Sequence, residues 1–366
     1  MNQADVLVVG GGIHGCAVAL ELARRGRSVV VLEKSVPGAE ASGAAGGILG
    51  PHLECDAAGP FLDFCRHSLA LYPQWVGDLE EASGIGLEFV ECGGLFVAFD
   101  DAEANHLAER SALLGQLGLR CELLEGPAVQ AQEPGLSRGI VAGLSLPQEA
   151  RVEPRSIVRA LAIAARSAGV VFATETVLGL EPSSGGVQVS TAASKWHANE
   201  VVLAAGAWSS SVPGSGLPPA SVKPARGQMA LLQFPTPPTR AVVFSERGYV
   251  VPRDDGRVLC GSTLEFEGFR KEVTAGGLRS ILNLTLELLP GAAHAPVIET
   301  WAGFRPYTSD HLPLIGAGAY PGLWLATGHY RNGILLAPAS AQCLAAMICG
   351  ETPAIPLDAF GAGRLQ

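Results

Sequence analysis

Residues 10–15, GGGIHG, follow a short apolar run from Asp5 to Val9 and open a stretch of helical spacing from His14 to Arg25 that stops at Gly26. A second run rich in β-branched residues, Ser28 to Glu33, completes one βαβ unit. G-x-G-x-x-G between a strand and a helix is the strongest constraint in the chain. Gly10 makes the tight turn, Gly12 lets a pyrophosphate approach the backbone, and Gly15 lets helix and strand pack closely, while the helix N-terminus supplies the positive end of the dipole. Glu33, eighteen residues past Gly15, ends the second strand, where a carboxylate accepts hydrogen bonds from both ribose hydroxyls and repels a 2′-phosphate. This motif alone does not separate FAD from NAD.

The next segment separates them. Residues 41–49, ASGAAGGIL, are a run of small residues that leaves backbone amides uncovered, suited to lying along a long cofactor, with Ser42 able to donate to a phosphate. Further on, Leu62 to Ala82 reads as a helix, Glu88 to Phe99 as two strands around Cys92-Gly93-Gly94, and Ala102 to Leu117 as a helix capped by Asp100 or Asp101. Ile157 to Ala168 is again helical. A strand at Val170 to Phe172, a hairpin around residues 183–186 and an apolar strand at Glu200 to Ala204 follow. Gln228 to Gly261 reads as alternating strands with a turn at residues 254–256, and after it come a helix from Ala275 to Leu289, strands near Val297 and Leu323, and a final helix after Asn332. The chain thus alternates between two domains. The boundaries read as 1–85, 146–222 and 297–366 for the dinucleotide domain, and 86–145 and 223–296 for a sheet-rich one.

Composition narrows the partners. Of 366 residues 48% are hydrophobic and 16% charged, enough to bury a large core, and the net charge of −10 with no Lys/Arg cluster offers no footprint for nucleic acid or an anionic membrane. The eight cysteines, at 16, 55, 65, 92, 121, 260, 343 and 349, form no C-x-x-C pair and no zinc spacing, so they read as reduced thiols of a cytoplasmic protein. The opening from Met1 to Asp5 has no basic region of a signal peptide. Pro338, Ser340 and Gln342 interrupt the uncharged stretch from Asn332 to Gly350, which reads as a buried helix and not a transmembrane segment.

Seven blocks in order then make the chain resemble the D-amino acid oxidase superfamily of flavoproteins, and within it the glycine oxidases of thiamine biosynthesis. They are the fingerprint at 10–15, the run at 41–49, VVLAAGAWS at 201–209, YVVPR at 249–253 with DGR at 255–257, VTAGG at 273–277, WAGFRP at 301–306 and GHYRNGILLAP at 328–338. The resemblance implies an α/β protein: a Rossmann-type FAD-binding domain interleaved with an α+β substrate domain on a mostly antiparallel sheet. It implies cofactor contacts at Gly10, Gly12, Ile13, His14, Gly15, Glu33, Lys34, Ser42, Ala44, Ala45, Gly46, Gly47, Ile48, Val177, Ala205, Gly206, Trp208, His329, Arg331, Asn332, Gly333 and Ile334. FAD should be non-covalent, because no cysteine lies between Cys260 and Cys343. A homo-oligomer is the family's usual state.

The resemblance assigns catalytic roles to Arg305, Tyr249 and Arg331, and the residues themselves support them. Arg305 stands in an apolar context, Trp301 to Phe304, where a guanidinium needs an anionic partner; a substrate carboxylate offers bidentate geometry, and the structural alternative is an ion pair with Asp310 or a glutamate. Tyr249 starts an alternating strand and its hydroxyl can share that carboxylate. Arg331 shapes the pocket, and the turn from Arg331 presents peptide groups and a helix N-terminus to the flavin edge. His329 reads as a packing or flavin-contact residue, since an amine with a free lone pair needs no strong base. Tyr307 and His311 stand where glycine oxidases carry smaller residues, which touches side-chain tolerance. The implied activity is oxidative deamination of glycine or another small amino acid by FAD, giving a 2-oxo acid, ammonia and H2O2 with O2 as acceptor. The alternative is a D-amino acid or glycine dehydrogenase that passes electrons to a quinone or partner subunit. A tRNA-modifying flavoprotein is disfavoured by the acidic charge.

Overall fold

The structure is a computed structural model and describes residues 2–53 and 57–365; Met1 and Cys55 of the sequence reading lie outside the described residues. The chain begins as its fingerprint requires, with β1 (Asn2–Val9), α1 (Ile13–Arg24) and β2 (Val29–Glu33), the two strands parallel in the register Val6↔Val29 to Val9↔Leu32. Then α2 (Ala41–Ala44), β3 (Ile48–Leu49) and α3 (Pro60–Ser83) lead out of this layer.

The second layer starts with β4 (Gly94–Ala98), α4 (Asp101–Gln116), β5 (Glu122–Glu125), α5 (Gly126–Gln132) and β6 (Ala142–Leu146). Asp100 caps α4 by accepting from the Glu103 amide at 2.9 Å. Here the sequence reading is corrected. Glu88 to Phe99 holds one strand and not two: Val90 makes an isolated bridge to Arg151, and Gly93, at φ +72°, turns the chain into β4. A left-handed residue cannot continue a strand.

The chain returns through β7 (Ala150–Arg151), paired with β3, and α6 (Pro154–Ser167) to β8 (Val171–Thr174), the hairpin β9 (Val177–Ser183) and β10 (Gly186–Thr191), and β11 (Lys195–Leu203). It crosses again to β12 (Lys223–Gln233), β13 (Val242–Ser245), β14 (Gly248–Pro252), β15 (Arg257–Gly261), α7 (Ala275–Leu288) and β16 (Val297–Tyr307), then closes with β17 (Leu314–Ala317), β18 (Leu323–Thr327) and α8 (Ala337–Ile348). The first sheet has the order β17-β18-β11-β1-β2-β8, with β10 and β9 extending from β11; the second runs β16-β12-β15-β14-β13-β4-β6-β5. The second is antiparallel at every join except the parallel β13–β4 pair, so both sheets are mixed. One boundary also moves. β16 pairs with β12 from Lys223↔Tyr307 to Leu232↔Val297, with a register shift that leaves Ile298 without a partner on that strand, so the chain leaves the second sheet after residue 307 and not at 297.

β1 is flanked by β2 and β11, both parallel to it, and from Val6 to Val9 it is buried on both faces, which is why it reads as an unbroken apolar run. α1 and α8 pack on one side of it with α3 and α6. No described helix is long and apolar enough to cross a membrane. Residues 332–350 instead hold the buried α8, which starts at Ala337 after a succession of turns: Asn332 donates to the His329 carbonyl and Leu336 to the Asn332 carbonyl, both at 2.9 Å.

Two histidines are buried where α1 meets these turns. The rings of His14 and His329 stack with centroids 3.4 Å apart and planes 12° from parallel. Burial holds His14 down to about 3, opposed by a hydrogen bond to the Gly333 backbone; burial and then the charge of His14 hold His329 well below the ordinary imidazole range. A base whose folded pKa is depressed leaves the unfolded chain as the better proton binder. For His14, stability is therefore complete above pH ~6.5 and falls as pH drops toward 3, by up to ~1.4 kcal/mol per pH unit. His14→Phe keeps the stacked ring and removes the titration. Urea unfolding of this variant should lose stability more slowly between pH 6 and 4 than the wild type, by nearly one proton; equal slopes would contradict the assignment.

Candidate functional site

One cavity of about 1340 Å³ opens between the two sheets and takes its walls from both. It exceeds the roughly 300–1,000 Å³ of a site for a drug-sized ligand.

At one end lies the β1–α1 turn. Gly10 sits at φ +106°, and a Cβ there would come within 2.5 Å of the Ala204 carbonyl oxygen; a Cβ on Gly15 would come within 1.9 Å of the Gly10 carbonyl oxygen. Gly15 is thus the packing glycine behind the turn, and of the cofactor residues expected from sequence it alone is not among the lining residues. Gly12 is the N-cap of α1 and supplies no side chain to it; the Ile13 amide donates to Ser42 Oγ at 3.0 Å. Glu33 reaches over this turn, its Oε2 accepting from the Gly11 amide at 2.6 Å and its Oε1 from the Ser35 amide at 3.0 Å. Beside it Lys34 Nζ lies 3.5 Å over the Trp208 ring and 2.9 Å from Glu40. Val177, Ala205, Gly206 and Trp208 close this end. A helix N-terminus whose cap residue is a glycine, a hydroxyl on its first amide and a carboxylate at the end of β2 fit the diphosphate and ribose of FAD.

The small-residue run forms the middle of the wall. Its carbonyls are tied from outside the cavity: Arg155 Nε donates to Gly43 O at 3.1 Å, Trp301 Nε1 to Ala44 O at 3.1 Å, and Arg253 Nη2 to Gly46 O at 3.0 Å. Smallness here is steric. A Cβ on Gly47 would come within 2.0 Å of the Val152 carbonyl oxygen, and one on Gly303 within 2.4 Å of Ala44 Cβ. Ala44, Ala45, Gly46, Gly47 and Ile48 all line the cavity, as do His329, Asn332, Gly333 and Ile334 across from α1.

The second sheet builds the other end. Across β14, β15 and β12 the residues Tyr249, Gly261 and Met229 are in register, and in the next row Gly227 faces Gly303. These glycines make room for the groups that cross them: a Cβ on Gly261 would lie 2.4 Å from Met229 Sδ and one on Gly227 2.3 Å from Arg305 Nη1. Tyr249 Oη donates to Met229 Sδ at 3.6 Å, and its ring lies where a Cβ on Gly46 would be 3.2 Å away. Arg305 is half-buried; its Nη2 donates to Ser262 Oγ at 2.5 Å and its Nη1 to the Thr263 carbonyl at 3.3 Å. No carboxylate among the described residues pairs with it. The alternative partner Asp310 is taken by Arg364, at 2.6 Å. Arg331 is exposed at the rim, its guanidinium 5.1 Å from the Tyr330 ring centroid.

Sequence reasoning missed Met229, Gly227, Ser262 and Thr263, which line the same end. The alternation of β12 and the pairing of β15 would have found them only once Arg305 was placed. Tyr307 and His311 belong to an aromatic cluster: Tyr307 to Tyr330 and His311 to Tyr330 are each 5.0 Å apart, with His311 and Tyr330 lining the cavity. The seven described cysteines are free, burial pushes the Cys16 thiol up to about 12, and no metal-binding cluster occurs among the described residues.

Residues 5–347 match the DAO family, FAD dependent oxidoreductase. The chain is 33% identical over 368 residues to a glycine oxidase of Bacillus licheniformis, covering 100% of this chain and 98% of the relative. It is 35% identical to the bifunctional protein ThiO/ThiG of a Nostoc species, of whose length it spans 55%. Among solved structures, the crystal structure of glycine oxidase from Geobacillus kaustophilus superposes with a TM-score of 0.95 at 32% identity, covering 99% of each chain. Iminodiacetate oxidase from Chelativorans sp. superposes with a TM-score of 0.87 at 28% identity, over 97% of this chain and 98% of that one. A match through nearly the whole chain, together with a cleft whose turn, hydroxyl and acid suit a flavin dinucleotide, leads to one conclusion: this chain belongs to the DAO family of FAD-dependent oxidoreductases.

Proposed function

We propose that the chain oxidises glycine or another small amino acid to the imine, which water hydrolyses to the 2-oxo acid and ammonia, with dioxygen reduced to H2O2. The observation that carries this reading is Arg305: a cation in the wall of the cofactor cavity, held by two uncharged acceptors. A guanidinium so placed keeps its charge for an incoming anion, and its planar fork matches a carboxylate. The full-length likeness to glycine oxidases agrees with it.

Bound FAD supplies the oxidant, taking the hydrogen and two electrons that leave substrate Cα and passing the electrons on to dioxygen. The chain's own task is placement. Arg305 fixes the carboxylate, Tyr249 closes the cavity between the sheet and Gly46, and Arg331 shapes the rim. His329 is assigned no proton transfer. Its ring is stacked on His14, its Nε2 is 3.3 Å from Ser340 Oγ, and burial keeps it neutral. The amine is taken in its neutral form, whose lone pair drives the loss of hydrogen from Cα.

Anaerobic mixing with glycine, sarcosine and small D-amino acids should bleach the flavin absorbance, and readmitted air should restore it with one H2O2 per turnover. No bleaching with any of them would refute the reading. Bleaching with slow recovery in air and fast recovery with a quinone would replace oxidase by dehydrogenase.

Gly12→Val checks the cofactor end. A Cβ there would stand 3.3 Å from Ser42 Oγ, and two further methyl groups would occupy the approach to the turn, so the protein should purify colourless; normal flavin content would refute the placement of the diphosphate. Arg305→Lys checks the substrate end. It keeps a charge but loses the fork, so kcat/KM for an amino acid should fall at least ~10-fold, about 1.4 kcal/mol, with FAD retained. An amine lacking the carboxylate should be a poor substrate that loses much less. Equal losses for both would make Arg305 structural.

A further inference from the structure

The proposed function requires Arg305 to be both aimed and unneutralised, and the inference drawn here rests on that reading. The side chain folds back over β12, where Gly227 makes room for it: a Cβ on Gly227 would lie 2.3 Å from Nη1 and 2.5 Å from Nη2. Its two hydrogen-bond acceptors, Ser262 Oγ and the Thr263 carbonyl, carry no formal charge. Yet a carboxylate stands two residues further along the same segment, at Glu265. In a half-buried site an arginine and a glutamate brought together pair readily, and such a pair would spend the charge the substrate needs.

The strand prevents this by alternation. Arg226 and Gln228 flank Gly227 on β12 and their side chains leave by the opposite face. Arg226, 5% exposed, takes Glu265: its Nε donates to Oε2 at 2.6 Å and its Nη2 pairs with the same oxygen. Gln228 Nε2 donates to Glu265 Oε1 at 2.7 Å. The backbones of Arg226 and Glu265 exchange both hydrogen bonds, at 2.8 and 3.0 Å, and Arg226 Nη1 reaches the carbonyls of Arg270 and Glu272. With both oxygens of Glu265 satisfied on the far face, its carboxyl lies below the usual carboxylate range: burial raises it, and hydrogen bonds from Thr263, Arg226 and Gln228 and the charge of Arg226 outweigh that.

We propose that Ser262 is a positioning residue for Arg305, and that the Arg226–Glu265 pair holds the neighbouring carboxylate away from it so that the guanidinium stays free for the carboxylate of the substrate. Two adjacent arginine sites thus divide the work, one neutralised by the protein and one left for the ligand.

The test is glycolate binding to the FAD-loaded enzyme, followed by the shift in flavin absorbance, because glycolate has the carboxylate and no amine to oxidise. Ser262→Ala should raise the glycolate Kd and the glycine KM about 3–10-fold, with kcat changed less than about twofold and FAD content and Tm as in the wild type. Ser262→Thr, which keeps the hydroxyl, should recover most of the loss. Arg226→Gln should release Glu265 toward Arg305 and weaken glycolate binding about tenfold or more, and adding Glu265→Gln should return it to within about threefold of the wild type, a rescue that general damage would not show. Wild-type affinity in Ser262→Ala, no recovery in Ser262→Thr, or no rescue in the double variant would overturn the proposal; if Arg226→Gln does not fold, the two Ser262 variants decide. A wild-type enzyme that binds neither glycolate nor glycine would refute the carboxylate reading of the site itself, and the role of Ser262 falls with it.

Discussion

The wall of the cavity depends on a few carbonyl oxygens. Those of Gly43, Ala44 and Gly46 point away from the cavity into Arg155, Trp301 and Arg253, which come from α6, from β16 and from the end of β14. A segment this rich in glycine and alanine has little side-chain surface with which to hold its own course. Its path is imposed from behind, and the inner side is left clear for a ligand. Arg253 is fully buried and is bound in turn by Glu153 at 3.1 Å, so one guanidinium fastens the second sheet, the start of α6 and the cofactor segment together. Burial lowers its pKa, opposed by the charge of Glu153; such a charge is tolerated only because both partners are in place.

The opening strand–helix–strand unit could be read, to within a few residues at its ends, because its chemistry is local. A turn of glycines between a β-branched strand and an amphipathic helix has one architecture, and β1, α1 and β2 follow it. Glu88 to Phe99 was misread because its alternation is that of a strand, while the backbone obeys Gly93 and a single bridge to Arg151. β16 was assigned to the wrong layer because a sequence does not state a strand's neighbour; ten residues pairing with β12 do. At the site, Arg305 and Tyr249 were visible through resemblance. Ser262 and Met229 were not, since a serine after a strand and a methionine within one take their meaning from what crosses over them.

Charge is handled by geometry more than by composition. Lys34 and Lys271 both pair with Glu40, Arg155 with Glu299, Arg226 with Glu265 and Arg253 with Glu153. Arg305 differs from the arginines of these pairs in bonding a hydroxyl and a peptide carbonyl. Gly227 supplies the space and the alternation of β12 supplies the separation, so the same strand that makes room for Arg305 also engages Glu265 from its other face.

The interleaving of the two layers bears on how the chain emerges from the ribosome. β1 gains β2 at once, but its other neighbour is β11, whose residues Lys195–Leu203 are made after the whole first visit to the second layer. At about 5–20 residues per second, β1 waits roughly 10–40 s with one edge uncovered. β12 likewise waits for β16, and β11 for β18. Neither layer can be finished before the other is well advanced, so the nascent chain carries open strand edges for much of its synthesis, and the cleft between the layers is among the last parts to take shape.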